Sequence, residues 1–218
     1  MNVGIILAAG SSSRFDKEKQ KQFEVFQNKM LIEYSLETFL NHPNIDKVIL
    51  VVSRDNFDFC SKMFKSCKVI KGGLTRQKSS HLALQACPES TVNVLIHDAA
   101  RPFVEKGLIT KSLDQLKTNV AVCPGLPLAD TIASVSNNKV SKIIDREKVY
   151  RLQTPQSFNF KILSKCHNMI DESVTDDISI VLHFGYVPKI IKGSDKNMKI
   201  TYKSDLKIIK SLIWKKKL

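Results

Sequence analysis

Short apolar runs alternate with amphipathic segments along most of the chain, and this alternation restricts the possible folds more than any other feature. The run at residues 3–7, VGIIL, is continuous and apolar and ends near a glycine turn, which is typical of a strand buried on both faces. Comparable runs predict strands at residues 47–52, 68–70, 92–97, 119–125 and 187–191. Helical spacing and end signals predict helices at residues 31–42, 55–64 (capped by Asp55), 79–87, 105–117, 159–170, 176–184 and 203–216. Strands that alternate with helices in this way predict an α/β fold with a mostly parallel sheet and helices on both faces.

Residues 126–146 break this alternation. Two runs of alternating apolar and polar residues flank the turn sequence SNNK, which predicts a β-hairpin. We expect this hairpin to protrude from the sheet as a β-arm. Because neither an internal repeat nor a low-complexity linker divides the chain, residues 1–218 are predicted to form a single domain.

Composition narrows the class of protein. The 218-residue chain is 43% hydrophobic, which suffices for one sizeable core. No apolar run approaches the roughly 20 residues of a membrane span, and the first strand begins at Val3, which leaves no room for a leader peptide. Five cysteines, an odd number without a C-x-x-C pair, indicate free thiols in a reducing compartment. We therefore expect a cytoplasmic protein without a membrane partner.

The net charge of the chain is +13, from 34 lysines and arginines against 21 aspartates and glutamates. Such a charge is compatible with a polyanionic partner. The excess is nearly all lysine, however, and it is scattered along a chain that is also rich in Ile, Asn and Ser, with one dense cluster in the C-terminal WKKKL. We interpret it as a compositional bias and predict no nucleic-acid partner.

Polar clusters follow the first, third and fourth predicted strands, at the places where these strands end. Their sequences are AAGSSSR, GGLTRQKS and HDAARP. Because ligands of an open parallel sheet collect beyond the carboxyl ends of the strands, we expect the clusters to converge on one edge. The small residues of the first cluster let successive backbone N–H groups approach an anion, and Arg14 and Lys21 add cations for phosphate oxygens. The carboxylate of Asp98, at the end of a buried strand, suits Mg²⁺.

These clusters together fit a nucleoside triphosphate bound with Mg²⁺. Neither G-x-x-x-x-G-K-[ST] nor G-x-G-x-x-G occurs, which excludes a standard P-loop and a dinucleotide fingerprint. Each cluster taken alone has a simpler interpretation. The first can be an ordinary turn, Asp98 can cap a helix or pair with Arg101, and Lys21 can be one more solvated lysine.

A series of motifs in fixed order resembles a known family. In chain order the motifs are LAAGSSSR, KQKQF, GGLTRQKS, HDAARPF, DT at 130–131, DR at 145–146, QTPQSF at 153–158, TDD at 175–177 and NMKIT at 197–201. They are similar to those of the 2-C-methyl-D-erythritol 4-phosphate cytidylyltransferases of the non-mevalonate isoprenoid pathway. The resemblance implies a Rossmann-like nucleotidyltransferase domain of the glycosyltransferase-A type, whose β-arm clasps a second subunit in a homodimer. It also implies transfer of the cytidylyl group of CTP to a polyol phosphate, 2-C-methyl-D-erythritol 4-phosphate, with release of pyrophosphate and a requirement for Mg²⁺.

The resemblance further implies a role for individual residues. Those expected along CTP are Ala8, Ala9, Gly10, Ser11, Arg14, Lys21, Gly73, Ser79, Asp98 and Ala99. Those expected to grip the sugar phosphate are Arg101, Thr131, Arg146, Thr154 and Lys199. The cations expected to stabilise the transition state are Arg14, Lys21, Arg146 and Lys199, and Asp98 is expected to bind Mg²⁺. Thr131 and Arg146 lie in the arm and are therefore expected to serve the active site of the partner subunit.

The attacking group in such a reaction is a phosphate oxygen that is already ionised at neutral pH. No catalytic base is needed, and we interpret His97 as structural. The chain departs from the family at Ser12, where a glycine is often found, and at Leu74, where an acidic residue is common. A positive φ at Ser12 would strain a serine. Leu74 matters for base selection only if its side chain, rather than its backbone, contacts the base.

Alternative functions make different predictions. A ribitol-5-phosphate cytidylyltransferase shares the fold, the first loop and TPQ.F, but commonly has another pair of residues inside HDxxRP, so HDAARP favours methylerythritol phosphate. A basic protein that binds RNA or membrane phosphates and has lost activity would lack the site residues, whereas the matching cations and Asp98 are present. Because the chain stops at Leu218, we expect no fused domain for a later cyclising step.

Overall fold

The computed structural model describes residues 1–12, 14–15 and 20–214, and for residues 210–214 it describes the backbone alone. Residues 215–218, which hold the end of the last predicted helix and most of the basic tail, lie outside the described residues.

The predicted strands and helices are present in the predicted order. The strands are β1 (Asn2–Ala8), β2 (Val25–Phe26), β3 (Lys29–Met30), β4 (Lys47–Val52), β5 (Lys68–Lys71), β6 (Asn93–Asp98), β7 (Ala121–Pro127), β8 (Ile132–Ser136), β9 (Lys139–Ile144), β10 (Tyr150–Leu152), β11 (Gln156–Asn159) and β12 (Lys189–Lys192). To the predicted elements the structure adds the short strands β2, β3, β10 and β11. The α-helices are α1 (Leu31–Leu40), α2 (Phe57–Met63), α3 (Arg76–Gln85), α4 (Lys106–Leu116), α5 (Phe160–Met169), α6 (Asp177–His183) and α7 (Lys203–Trp214).

The central sheet confirms the predicted mostly parallel α/β architecture. Its strand order is β10-β7-β11-β6-β1-β4-β5, with β12 paired to β7. Strands β6, β1, β4 and β5 are neighbours and run parallel, so their carboxyl ends meet at one edge. The sequence did not predict β10 or β11, which run antiparallel to their neighbours. Both are short, and β11 (QSFN) lacks the long apolar run that marks the other buried strands.

Helices cover both faces of the sheet, as the sequence predicts. Strand β1 shows why, because its side chains alternate between two hydrophobic clusters. Ile6 packs in the cluster that includes apolar residues of α1, α2 and α4, whereas Ile5 packs in the cluster that includes residues of α3, α5 and α6. Both isoleucines are fully buried.

Two predicted helix starts are wrong, and the second bears on the site. Asp55 does not cap α2, since it lies inside a 3-10 turn, Arg54–Asn56, and α2 begins at Phe57. Helix α3 begins at Arg76 rather than at residue 79, because the Thr75 hydroxyl accepts a hydrogen bond from the Lys78 N–H (3.0 Å) and caps the helix. Arg76 therefore stands in the first turn of α3 instead of in a loop.

The predicted β-arm is present as a hairpin of β8 and β9, which form a sheet of their own. Its turn residues Asn137 and Asn138 both have positive φ, 49° and 59°, as a tight two-residue hairpin requires. Val135, Val140 and Ile143 of the hairpin are exposed. Among the described residues, no helix is long and apolar enough to cross a membrane.

Candidate active site

A cavity of about 1000 Å³ opens at the edge of the sheet where β1, β4, β5 and β6 end. Every residue that the sequence comparison placed along CTP lines it, and so does Lys199. The structure therefore brings together the loop after β1, the glycine turn after β5 and the end of β6, as the parallel arrangement of the strands predicts.

Gln22 holds the loop after β1 in place. Its side chain is buried, and its Nε2 donates to the carbonyls of Ala8 (2.7 Å) and Gly10 (3.2 Å). Gln22 belongs to the 3-10 turn Lys21–Phe23, so the same contacts fix the backbone of Lys21 against the end of β1. No sequence signal indicates this role, because a glutamine beside lysines is typical of a solvated surface.

Ser12 has a φ of +60°, which confirms that this position imposes a conformation favourable to glycine. Its hydroxyl donates to Gln22 Oε1 (3.0 Å) and accepts from the backbone N–H of Lys21 (3.2 Å). A glycine could make neither bond. The serine therefore offsets its backbone strain by tying the loop to the turn that carries Lys21.

We expect Ser12→Ala to be less stable than Ser12→Gly by about 1 kcal/mol. Both variants lose the hydroxyl, but only alanine keeps the cost of a side chain at positive φ. Urea unfolding of the two variants beside the unchanged protein measures the difference. An Ser12→Ala variant as stable as Ser12→Gly would show that the backbone at this position is not strained.

The glycine turn after β5 packs closely against β1. A Cβ atom on Gly72 would lie 2.6 Å from Ala9 Cβ and 2.9 Å from Ser79 Oγ, so no larger residue fits without a shift. The Ser79 hydroxyl accepts from the Gly73 N–H (3.1 Å) and donates to the Thr75 carbonyl (2.9 Å), which closes the turn. Leu74 is fully exposed, so its departure from the family does not disturb this packing.

Asp98 lies between two cations at the end of β6. Lys199 Nζ donates to its Oδ2 (2.7 Å), and Arg76 Nε donates to its Oδ1 (3.3 Å). Burial raises the pKa of this carboxyl, but Arg76 and Lys199 outweigh burial and hold the pKa well below its usual range. Asp98 is therefore ionised at neutral pH.

Lys21 lies close enough to Lys199 for the charge of Lys199 to affect the pKa of Lys21. Burial lowers the pKa of Lys21, Lys199 and Arg14 lower it further, and Asp98 opposes them. Lys199 is positioned by its neighbour Ile200, which is fully buried and donates its N–H to the Ala100 carbonyl (2.8 Å). The cavity thus holds a group of cations around Asp98.

Four residues predicted to grip the sugar phosphate do not line this cavity: Arg101, Thr131, Arg146 and Thr154. Arg101 donates Nη1 to the Asn197 carbonyl (2.9 Å) and Nη2 to the Leu152 carbonyl (3.3 Å). Thr131 and Arg146 are exposed on the arm, away from the cavity of their own chain.

Thr154 lies behind Asp98 and does not line the cavity, so its contact with the sugar phosphate stays a prediction. The residue is buried behind Asp98, and its Oγ1 accepts from the Asp98 N–H (3.1 Å) and bonds to His97 Nδ1 (3.0 Å). His97 Nε2 must donate to the Arg101 carbonyl (2.9 Å), so Nδ1 is the acceptor and Thr154 donates its only hydroxyl hydrogen there. Thr154 therefore supports the end of β6.

His97 is structural, as the sequence analysis expected. It is fully buried, and burial lowers its pKa to about 4, although its hydrogen bond to the Arg101 carbonyl and the charge of Asp98 oppose this. The imidazole is therefore neutral at physiological pH and holds Thr154 and the Arg101 backbone in place.

Residues of the QTPQSF and TDD motifs meet behind the cavity, which the sequence alone could not show. Gln156 Oε1 accepts from the N–H groups of Asp177 (3.2 Å) and Ile178 (3.3 Å), and so fixes the start of α6. Asp177 in turn accepts from Arg76 Nη1 (2.6 Å). These motifs thus position groups that contact the site residue Asp98.

The parallel sheet edge, the small-residue loop and the cations around Asp98 define a nucleotidyltransferase of the α/β class. Comparison with known proteins narrows the class to one family. Residues 2–215 match the family model described as IspD, 2-C-methyl-D-erythritol 4-phosphate cytidylyltransferase. The chain belongs to this family.

Individual relatives agree with this assignment. The chain is 39% identical over 219 residues to the 2-C-methyl-D-erythritol 4-phosphate cytidylyltransferase of Thermosipho melanesiensis, with 96% of each chain covered. It is also 39% identical over 205 residues to the bifunctional enzyme IspD/IspF of Pelagibacter ubique, where the match covers 93% of this chain and 55% of that longer protein. The crystal structure of 4-diphosphocytidyl-2C-methyl-D-erythritol synthase from Anaerococcus prevotii is similar with a TM-score of 0.86 at 26% identity, covering 98% of this chain and 96% of that one.

Proposed function

We propose that this chain transfers the cytidylyl group of CTP to 2-C-methyl-D-erythritol 4-phosphate, the reaction for which its family is named, and releases pyrophosphate. The observation that carries the proposal is the presence of Arg14, Lys21 and Lys199 around Asp98 in one cavity at the sheet edge. This group of cations favours a polyanionic substrate. A reaction whose attacking phosphate oxygen is already ionised needs no proton abstraction.

The main obstacle to this reaction is the repulsion between two phosphorylated substrates. An oxygen of the sugar phosphate attacks the α-phosphorus of CTP, the bond from that phosphorus to the β-phosphate bridge oxygen breaks, and pyrophosphate leaves with the electron pair. Arg14, Lys21 and Lys199 line the cavity. In the proposed reaction, Arg14 and Lys21 hold the triphosphate and offset the charge that builds on the leaving group, and Lys199 brings the sugar phosphate into line.

The residues present fit one Mg²⁺ bound together with the nucleotide. Within the described part of the chain, no three His, Cys, Asp or Glu side chains form a metal site. Asp98 would supply a carboxylate, and the phosphates of CTP would supply other ligands. Mg²⁺ is commonly held by one or two carboxylates plus substrate phosphates. The ion would supply Lewis-acid stabilisation of the α-phosphate.

Labelled CTP tests the reaction type directly. With 2-C-methyl-D-erythritol 4-phosphate and Mg²⁺ present, label at the α-phosphate should appear in the organic product, and label at the γ-phosphate should appear in pyrophosphate. Label from the γ-phosphate in the organic product would show a kinase reaction and would overturn the proposal.

We also propose that the protein is a homodimer in which each β-arm completes the partner's site. A two-stranded hairpin is marginally stable alone, and exposed Val135, Val140 and Ile143 would be buried by a second copy of the chain. The arm also carries Thr131 and Arg146, which do not line the cavity of their own chain.

Mixing two inactive variants tests this sharing of sites. Lys21→Ala damages the cavity and Arg146→Ala damages the arm, so each homodimer should be nearly inactive. After the two are unfolded and refolded together, heterodimers should contain one site with an intact cavity and an intact arm. The mixture should recover roughly a quarter of the unchanged activity. A mixture no more active than its components would contradict sharing.

We further propose a cytoplasmic location, because all five cysteines are free thiols and Cys60, Cys123 and Cys166 are buried. Such cysteines are typical of proteins from a reducing compartment. Fractionation of the source cells tests this directly, and recovery in an oxidising compartment would contradict it.

A further inference from the structure

A chain of alternating charges runs from the partly exposed Lys199 at the site to the buried Asp177 in the layer of helices behind it. Lys199 pairs with Asp98, Asp98 with Arg76, Arg76 with Asp177, and Asp177 accepts a hydrogen bond from His167 Nε2 (2.9 Å). Asp177 is fully buried and lies outside the cavity. The reaction as proposed has no use for this second carboxylate.

The two carboxylates share Arg76 unequally. Arg76 Nη1 lies 2.6 Å from Asp177 Oδ2, whereas Arg76 Nε lies 3.3 Å from Asp98 Oδ1. Ser80 adds a hydrogen bond to the same Asp177 oxygen (3.1 Å). The shorter contact is thus with the carboxylate that never meets substrate.

Arg76 also has an unused donor, since its Nη2 is buried without a hydrogen-bond partner. In a guanidinium group, Nε and Nη2 lie on one edge, and a carboxylate can bridge the two hydrogens of that edge. Asp98 contacts this edge through Nε alone. A small movement of Arg76 would therefore clamp Asp98 with a bidentate pair.

We propose that Asp177 is a positioning residue that prevents this clamp. By balancing the charge of Arg76 from the far side, Asp177 keeps the Arg76–Asp98 contact long, and so leaves Asp98 able to bind a divalent cation together with nucleotide. The inference rests on the proposed function in one respect, namely that Asp98 is the metal-binding carboxylate.

Replacing Asp177 with asparagine tests the proposal, because the side chain keeps its shape and loses its charge. The readout is the Mg²⁺ concentration that gives half of the metal-dependent rise in melting temperature in the presence of CTP. We expect Asp177→Asn to raise this concentration about tenfold, since Arg76 is then balanced by Asp98 alone. The half-saturating Mg²⁺ for turnover should rise in parallel, and excess Mg²⁺ should restore most of kcat.

Ser80→Ala is the matched control. It removes a neutral hydrogen bond from the same Asp177 oxygen and leaves the charge that holds Arg76. It should lower the melting temperature without nucleotide yet leave the Mg²⁺ requirement within about twofold. Equal Mg²⁺ requirements in Asp177→Asn and the unchanged protein would overturn the proposal, as would an equal rise in both variants.

If Asp177→Asn does not fold, the double variant Arg76→Gln with Asp177→Asn is used instead. Removing both charges of a buried ion pair destabilises a protein less than removing one of them. Without the guanidinium, Asp98 should bind Mg²⁺ with CTP at least as tightly as in the unchanged protein. Weaker binding would overturn the proposal. If CTP and Mg²⁺ fail to shift the melting temperature of the unchanged protein, the proposed function fails instead.

Discussion

Replacing Lys21 with alanine is expected to lower kcat/KM by about 10²-fold, a loss of roughly 3 kcal/mol of transition-state stabilisation. The lysine lies in the cavity beside Lys199 and Asp98, and burial lowers its pKa, which shows that its charge is partly removed from water. A charge in such surroundings acts strongly on phosphate oxygens. Most of the loss should appear in kcat, because negative charge on the leaving pyrophosphate builds up in the transition state.

Pyrophosphate release measures this loss. Lys117→Ala is the matched control, since Lys117 is exposed just after the end of α4 and pairs with the exposed Asp114 (2.9 Å). The control should keep its activity, and both variants should keep their melting temperature within a few degrees. If folded Lys21→Ala loses less than about threefold in activity, Lys21 does not face the reacting phosphates.

Replacing Asp98 with asparagine is expected to have a larger effect, about 10³-fold in kcat/KM, or roughly 4 kcal/mol. The amide cannot take the place of the ionised carboxylate toward Mg²⁺. The fold should survive, because Arg76 keeps its contact with Asp177 and the partly exposed Lys199 can turn toward water.

Melting curves separate the loss of metal binding from the loss of chemistry. In the unchanged protein, Mg²⁺ should add to the stabilisation that CTP gives, and in Asp98→Asn this addition should vanish. Asp114→Asn, on the surface, should behave like the unchanged protein. An Asp98→Asn variant that still responds to Mg²⁺ would show that another group holds the ion.

The sequence predicts the elements whose signal is local. Strands β1, β4 and β6 are long apolar runs, and the hairpin turn at Asn137 and Asn138 has residues that tolerate positive φ. Strands β10 and β11 are set by antiparallel pairing with β7 and β6, which no local pattern records. The sequence does not predict the start of α3 correctly, because the cap at Thr75 lies two residues after the glycine pair and reads as part of the same turn.

The residues of the site likewise include some that the sequence predicts and some that only the structure shows. The small residues after β1, the cations Arg14 and Lys21 and the carboxylate Asp98 follow strand ends, so the sheet topology alone predicts that they meet. The contact between Arg76 and Asp177 joins residues 101 positions apart, and its existence depends on how α3 and α6 pack. The hydrogen bond by which Thr154 supports the end of β6 likewise depends on tertiary packing, which the sequence does not record.

The most direct test of the central claim, that the cavity joins CTP to 2-C-methyl-D-erythritol 4-phosphate, is pyrophosphate release with this substrate and with ribitol 5-phosphate offered separately. Mg²⁺ and CTP are kept the same in both reactions. We predict turnover with 2-C-methyl-D-erythritol 4-phosphate and a kcat/KM at least about 10²-fold lower with ribitol 5-phosphate. Turnover with ribitol 5-phosphate alone would contradict the claim.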